Sequence, residues 1–138
     1  METASEVGFR FLRGTLEELV VDMNGQEKTF KILQSFEFNS DRKRMSVIIR
    51  DGTTIKLYMK GADNAVLARL DKNTEQVYEK AVNRKLEDYS RKGFRTLVFA
   101  MKTMSEDEYK TLKERLDDVA AAEDREDKIR NLEFLFLI

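Results

Sequence analysis

The sequence of 138 residues contains no cysteine and no histidine. Without cysteine the chain can form no disulfide, and it offers neither a thiol nucleophile nor a thiolate metal ligand. Without histidine it lacks the side chain that most often serves as general base and as metal ligand near neutral pH. These two absences exclude much of the enzyme chemistry that a site within this sequence could perform.

Proline is also absent, and no low-complexity tract or flexible linker interrupts the sequence. Long hydrophobic runs are missing as well: the longest lies within residues 132–138, about a third of the roughly 20 residues that a membrane-spanning helix needs. The N-terminus has no apolar signal-peptide region. We therefore expect one soluble, cytosolic domain, and the abrupt apolar end suggests a piece of a longer chain.

The charges are abundant but balanced, with 25 Lys and Arg against 26 Asp and Glu. A balance of this kind gives no general attraction for nucleic acid or for an anionic membrane, so any anion site must be local. Hydrophobic residues make up 41% of the chain and recur at regular spacing, which distinguishes it from a disordered chain with 37% charged residues. The composition therefore predicts a folded globular domain.

The first half of the sequence predicts antiparallel strands joined by tight turns. Strands are expected over residues 8–13 and 16–23, and Asn24-Gly25 then predicts a two-residue hairpin turn leading into a strand through Phe36. Apolar residues on both sides of Asp51-Gly52 predict a second hairpin by the same reasoning. Hairpins of this type build an antiparallel sheet.

The second half of the sequence predicts helices on the same basis of spacing and caps. A helix should start with Asp63 or Asn64 as N-cap, and a longer one should run from Asn73 or Thr74 to Gly93. A strand is expected over residues 94–101, a capping-box helix over 105–122 and a buried strand over 132–138. The fold class is therefore α+β, with an antiparallel β-sheet flanked by helices.

Residues 36–47 form the first of three candidate functional clusters. Phe36 and Phe38 run directly into the basic triplet 42–44, and an aromatic face can stack on a nucleobase while cations meet phosphate oxygens. The alternative is that both Phe residues belong to the core and that the basic run is solvated.

The other two clusters also lie where strands and helices meet. Lys60-Gly61 joins a strand to a helix start, where an anion can bind, although Gly61 could equally serve only the turn. Arg95 follows Gly93 at a helix-to-strand junction and is a donor suited to phosphate; its structural alternative is an ordinary arginine beside a capping glycine. All three clusters are expected at strand ends, where one sheet can gather them around a ligand.

Taken in order, the three clusters resemble the nucleotide-binding domain of P-type ATPases. The resemblance rests on Phe38-x-Ser40-x-x-Lys43-Arg44-Met45-Ser46-Val47, Lys60-Gly61-Ala62-Asp63 and Gly93-Phe94-Arg95-Thr96-Leu97. It covers nearly the whole chain, and the three motifs together are far more specific than any one of them. The aspartate after Lys-Gly-Ala, where the cation pumps have proline, is similar to the phospholipid-transporting branch.

The resemblance implies a role for each matching residue. Phe38 would stack on the adenine of ATP and Lys60 would line the adenine pocket. Ser40 and Lys43 would add polar contacts, and Arg95, with Thr96 beside it, would reach the phosphates. The family also implies Mg²⁺ in the parent protein, although this domain would not bind the metal directly.

Two family features do not occur in this sequence. The acidic Ser-Pro-Asp-Glu segment of the family would precede Met1, and the Asp-Lys-Thr-Gly-Thr motif with the phosphorylated aspartate is absent. The stretch Asp71-Lys72-Asn73-Thr74 imitates that motif without its glycine, and we interpret it as a turn before a helix. Residues 1–138 are therefore expected to be a single nucleotide-binding domain, inactive alone.

The parent implied by the resemblance is a phospholipid-translocating P-type ATPase, in which this piece is a cytoplasmic domain of an integral membrane protein. Its partners would be ATP and the phosphorylation and actuator domains, with no nucleic acid and no direct membrane contact. The alternatives are the same domain from a cation-transporting P-type ATPase, or a protein-interaction domain that uses the helix over 105–122. A self-contained phosphotransferase lacks support, because neither a P-loop nor a kinase catalytic set is present.

Overall fold

The structure is a computed structural model that describes residues 2–120, with side-chain environments for residues 4–71 and 80–119. The expected strand over 132–138 and the charged stretch 123–128 lie outside the described residues. The strands are β1 Phe9–Gly14, β2 Glu18–Met23, β3 Gln26–Asn39, β4 Arg44–Asp51, β5 Thr54–Gly61 and β6 Val98–Met104. The helices are α1 Glu2–Glu6, α2 Asp63–Leu67, α3 Lys72–Arg91 and α4 Glu106–Ala120.

The six strands form one sheet in the order β1-β2-β3-β4-β5-β6, and every neighbouring pair is antiparallel. Each strand therefore pairs with its neighbour in sequence, and the two helices α2 and α3 are inserted before the last strand. This arrangement confirms the expected α+β class with an antiparallel sheet flanked by helices.

The two hairpin turns differ in how they use glycine. In the first, Asn24 and Gly25 both have positive φ, 55° and 84°, as the predicted turn requires. In the second, Asp51 pairs with Thr54, so the central residues are Gly52 and Thr53 instead of the expected Asp51 and Gly52. Gly52 alone has positive φ there, 60°, because a turn with glycine at its first central position needs only one such residue.

The helix starts are predicted with mixed success. Ala62 is the N-cap of α2 and makes no side-chain cap, so the expectation of Asp63 or Asn64 was wrong. Asp63 is already the first helical residue, and its carboxylate accepts a hydrogen bond from the adjacent Asn64 amide. At α4 the capping box is confirmed: the Glu108 amide donates to Ser105 Oγ at 3.1 Å, and the Ser105 amide donates to the Glu108 carboxylate at 2.8 Å.

Helix α3 begins at Lys72, so the turn expected over residues 71–74 was wrong for its last three residues. The helix is followed by a Schellman motif at Gly93. The Gly93 amide donates to the Ser90 carbonyl and the Phe94 amide to the Tyr89 carbonyl, with Gly93 at φ 75°. The Phe94 ring meets the Tyr89 ring edge to face, with their centroids 6.2 Å apart. Because Phe94 completes this cap, strand β6 begins at Val98, four residues later than expected.

The hydrophobic core lies on one face of β3 to β6. Its buried members are Phe36, Ile48, Ile55, Leu57, Met59, Val66, Met104 and Leu112. We call this the core face and the reverse side of these strands the outer face. Leu112 belongs to α4, so that helix buries its apolar side against the core. Within the described part of the chain, no helix is long and apolar enough to cross a bilayer.

Candidate nucleotide site

A β-bulge at the end of β3 turns Phe38 away from the core. Phe36 pairs with Ser46 on the core face and Asn39 pairs with Arg44, so two residues, Glu37 and Phe38, oppose the single Met45. Phe36 is 8% exposed whereas Phe38 is 63% exposed. Regular strand alternation would put Phe36 and Phe38, which are two residues apart, on the same face, but the extra residue of the bulge breaks that alternation.

The turn after β3 is built by the side chain of Asn39. Its Oδ1 accepts hydrogen bonds from the amides of Asp41 at 2.8 Å and Arg42 at 3.3 Å, and its carbonyl accepts the Lys43 amide at 2.7 Å. Lys43 takes a positive φ of 54°, uncommon for a residue with a side chain. The turn leaves Ser40 and Lys43 exposed.

The flanking arginines of the basic triplet are buried, with Arg42 9% and Arg44 2% exposed. Arg42 Nη1 donates to the Glu37 carbonyl at 2.8 Å, and Arg44 Nη1 donates to the Arg42 carbonyl at 2.8 Å. The idea of a wholly solvated basic run is therefore wrong for two of its three residues. Composition alone did not reveal this, although the alternation of β4 puts Arg44 on the core face together with Ser46.

Gly61 allows β5 to approach this turn closely. The backbone amide of the next residue, Ala62, donates a hydrogen bond to the Lys43 carbonyl at 2.9 Å. A Cβ at Gly61 would overlap that carbonyl oxygen and lie 2.5 Å from Arg44 Cβ. The residue before it, Lys60, pairs with Met45 and is exposed on the outer face. Phe38 and Lys60 thus lie on opposite sides of Met45.

A groove of 530 Å³ opens on the outer face and is lined by Met45 and Lys60, but not by Phe38. The row that crosses it runs from Met45 through Lys60 to Phe99, which pairs with Lys60 and is 72% exposed. A second row, Val47, Tyr58 and Met101, lines the groove next to the first. The groove is therefore largely apolar, with one cation at its border, a suitable surface for a flat heterocycle. Of the residues that line this groove, only Lys60 had been predicted from the sequence as a site residue.

Arg95 and Thr96 line a different groove. It measures 680 Å³ and lies between the C-terminal half of α3 and the segment before β6, where Tyr89, Phe94 and Leu97 contribute. The Arg95 side chain is exposed and Thr96 is half-buried. The structure thus does not place these two residues in the groove of Lys60.

The strand register nevertheless brings all three clusters to one end of the sheet. Arg44 pairs with Gly61, and Gly61 pairs with Val98, directly after the Arg95 segment. We call this the site end. Its exposed cations, Lys43, Lys60 and Arg95, form no ion pair with any residue that the structure describes. Cations without carboxylate partners are available to an external anion.

Acidic residues do not gather into a metal site in the described ranges, where no group of three or more His, Cys, Asp or Glu could hold an ion. What the site end offers is an exposed aromatic ring, an apolar groove and three separate cations. This combination is suited to a ligand with a flat apolar part and an anionic part.

The chain belongs to the P-type ATPase family: the profile of the P-type ATPase cytoplasmic domain N matches residues 4–138. This match agrees with the resemblance inferred from the three motifs, and with the α+β fold.

Among curated proteins, the chain is similar to phospholipid-transporting ATPases. It is 42% identical over 113 residues to the phospholipid-transporting ATPase DRS2 of Saccharomyces cerevisiae, an alignment that covers 79% of this chain and 8% of the relative. It is 39% identical to DNF1 of the same yeast over 92% of this chain and 9% of the relative. It is 37% identical to the human phospholipid-transporting ATPase ID, over 94% of this chain and 11% of the relative. The chain thus spans about a tenth of the length of these relatives.

Proposed function

We propose that this domain binds ATP by its adenine end, as the nucleotide-binding domain of a phospholipid-translocating P-type ATPase. The observation that carries the proposal is the bulge that exposes Phe38 beside Met45, with Lys60 on the other side of Met45. Lys43, Lys60 and Arg95, exposed at the same sheet end, have no ion pair within the residues that the structure describes. The family match and the similarity to phospholipid-transporting ATPases support the same function.

In the proposed complex, adenine stacks on Phe38 and extends over Met45 towards Lys60. The stacked base is stabilised by dispersion with the ring and by removal of apolar surface from water. Lys43 and Ser40, in the exposed turn beside Phe38, then contact the ribose and the first phosphate. Arg95, with Thr96, meets the phosphates as they leave the sheet end. Mg²⁺ accompanies the phosphates in the parent protein and is not bound by this domain.

The domain positions the nucleotide for chemistry performed elsewhere in the parent. The phosphorylated aspartate, and the phosphorylation and actuator domains that act with it, belong to the remaining length of such a protein. We therefore place this chain as a cytoplasmic domain of an integral membrane protein. The domain alone should not release phosphate from ATP, with or without Mg²⁺, and a phosphate-release assay checks this.

The protein-interaction alternative receives no support from α4. Leu112 is buried in the core, and Tyr109 and Leu116 pack against the core cluster. The apolar side of this helix is therefore used for folding in the part of the chain that the structure describes. The cation-pump alternative is less favoured, because the similar proteins named above are phospholipid-transporting ATPases.

Binding is tested by titrating the ¹⁵N-labelled domain with ATP and following the backbone amide shifts. We expect shifts concentrated at Phe38, Lys60 and Arg95, and a Kd on the order of 0.1–1 mM, equivalent to about 4–5.5 kcal/mol, because an open groove contacts only part of the nucleotide. ADP should bind within about tenfold of ATP, since the terminal phosphate makes few contacts here.

The matched variants are Phe38→Ala and Phe11→Ala. Phe11 is also an exposed aromatic residue, at 48%, but it lies on the edge strand β1, three strands from β4. Loss of stacking should weaken ATP binding by about 1–3 kcal/mol in the Phe38→Ala variant. The Phe11→Ala variant should keep the ATP affinity of the wild-type domain. The proposal fails if millimolar ATP moves no amide at the site end, or if both variants bind as the wild-type domain does.

A further inference from the structure

We propose that Arg42 is a positioning residue for the nucleotide site, whose guanidinium holds the β3 bulge in the form that turns Phe38 to the outer face. The proposal rests on the proposed function, because the aromatic ring that it positions is the one assigned to adenine. It assigns a function to a residue that does not line the groove.

The Arg42 side chain contacts the last regular residue of β3, Phe36, and the first residue of the bulge, Glu37. The Arg42 guanidinium lies over the ring of Phe36, 5.8 Å from its centroid, on the core face. The same guanidinium donates through Nη1 to the carbonyl of Glu37, inside the bulge. Arg42 therefore joins the last core residue of β3 to the backbone of the residue before Phe38.

The position of Arg42 is itself held from two sides. Its amide donates to Asn39 Oδ1, and its carbonyl accepts a hydrogen bond from the buried Arg44. Only 9% of Arg42 is exposed, so solvent does not replace these contacts easily. The bulge, the turn and the two arginines thus form one connected unit.

Without this unit, β3 could return to regular alternation. Residues two apart in an unbroken strand share a face, so Phe38 would move towards the side of Phe36. The outer face would then lose its stacking ring, although the sheet would keep its strand order. Arg42 would in this way determine nucleotide affinity without contacting the nucleotide.

The test compares Arg42→Met with Arg69→Met. Arg69 is the matched control, because it is also buried, at 6% exposure, and also donates to a backbone carbonyl, that of Ala65 at 2.6 Å. Two quantities are measured: the ATP Kd, and the relaxation of the Phe38 ring protons by a soluble gadolinium chelate in the nucleotide-free domain. The second reports whether the ring faces solvent.

We expect Arg42→Met to raise the Kd by about tenfold and to reduce the relaxation of the Phe38 ring, whereas Arg69→Met leaves both within about twofold. Arg42→Lys, which keeps a cation and a donor, should recover most of the affinity. Unchanged Phe38 relaxation in a folded Arg42→Met domain overturns the proposal, as does an equal loss in Arg69→Met.

A second variant applies if Arg42→Met does not fold. Asn39→Ala removes the Oδ1 that accepts the Arg42 amide, and it should move both readouts in the same direction by about threefold. No movement of the ring in Asn39→Ala and Arg42→Lys then overturns the proposal. Absence of ATP binding in the wild-type domain would instead contradict the proposed function, while the relaxation measurement still decides the role of Arg42.

Discussion

The two ends of the sheet differ in how their surface cations are paired with carboxylates. At the end away from the site, Asp51 contacts Lys28 at 2.9 Å and Lys56 at 3.3 Å, and Arg50 pairs with Glu106 through two hydrogen bonds. At the site end, the exposed cations have no carboxylate partner within the described residues. The two ends therefore differ in charge compensation, although the same strands run through both.

This difference separates cations that serve the fold from cations available to a ligand. A paired lysine is neutralised locally and attracts a distant anion weakly, whereas an unpaired lysine retains its field. The clearest comparison is within β5, where Lys56 and Lys60 lie four residues apart on the same face. Among the residues that the structure describes, Lys56 has an ion pair and Lys60 has none.

The largest effect is expected from the two aromatic residues at the bulge. Phe36→Ala should lower the free energy of unfolding by about 3–5 kcal/mol, because it opens a cavity in the core. Phe38→Ala should change stability little and remove most ATP binding. Thermal melts and ATP titrations of both variants measure this, and a large stability loss in Phe38→Ala would assign that ring to the core instead.

A glycine at each end provides the next comparison. Gly61→Ala should cost about 1–3 kcal/mol of stability and weaken ATP binding, because the new Cβ forces β5 away from the Lys43 turn. A Cβ added at Gly52 meets no atom within 4 Å, so Gly52→Ala should lose only about 1 kcal/mol of stability, the cost of its positive φ. This variant should bind ATP as the wild-type domain does. Denaturant unfolding together with ATP titration checks both variants; equal effects on binding would contradict the different roles of the two ends.

The two lysines of β5 provide the third comparison. Lys60→Ala should raise the ATP Kd by about tenfold, the scale of one charge-assisted contact, with stability nearly unchanged. Lys56→Ala should leave the Kd unchanged and reduce stability by less than about 1 kcal/mol, as expected for a partly exposed ion pair. Calorimetric titration and thermal melts measure both quantities. The reverse pattern would show that Lys60 belongs to the fold.

The smallest effect concerns acid. Hydrogen bonds from Lys28 and then Lys56 hold the pKa of Asp51 below its ordinary value, so its contribution to stability is present above about pH 4 and lost as pH falls through the folded pKa. The wild-type domain should exceed Asp51→Asn in stability at pH 7, by at most about 1 kcal/mol, and the difference should shrink in acid. Melts across pH check this, and a difference that stays constant down to pH 2 would contradict the assignment.

Local signals in the sequence predicted the elements that local chemistry decides. Asn24-Gly25 predicted its hairpin because only residues that tolerate positive φ fit that turn, and Ser105 with Glu108 predicted the start of α4. The start of β6 was placed too early because the Schellman motif after Gly93 uses the Phe94 amide, a detail that periodicity does not contain. The nucleotide-binding roles of Phe38, Ser40, Lys43, Lys60, Arg95 and Thr96 stay predictions.

The sequence by itself determined the antiparallel α+β class, the capping box of α4, the glycine that ends α3 and the family, because turn residues, periodicity and motif order are properties of neighbouring residues. Only the tertiary structure decided that Phe36 is buried and Phe38 exposed, since the bulge depends on pairing with β4. It likewise decided that Arg42 and Arg44 are buried while Lys43 between them is exposed. Burial and strand register depend on contacts between residues distant in the chain. The local sequence of three consecutive basic residues therefore does not predict which of them will be buried.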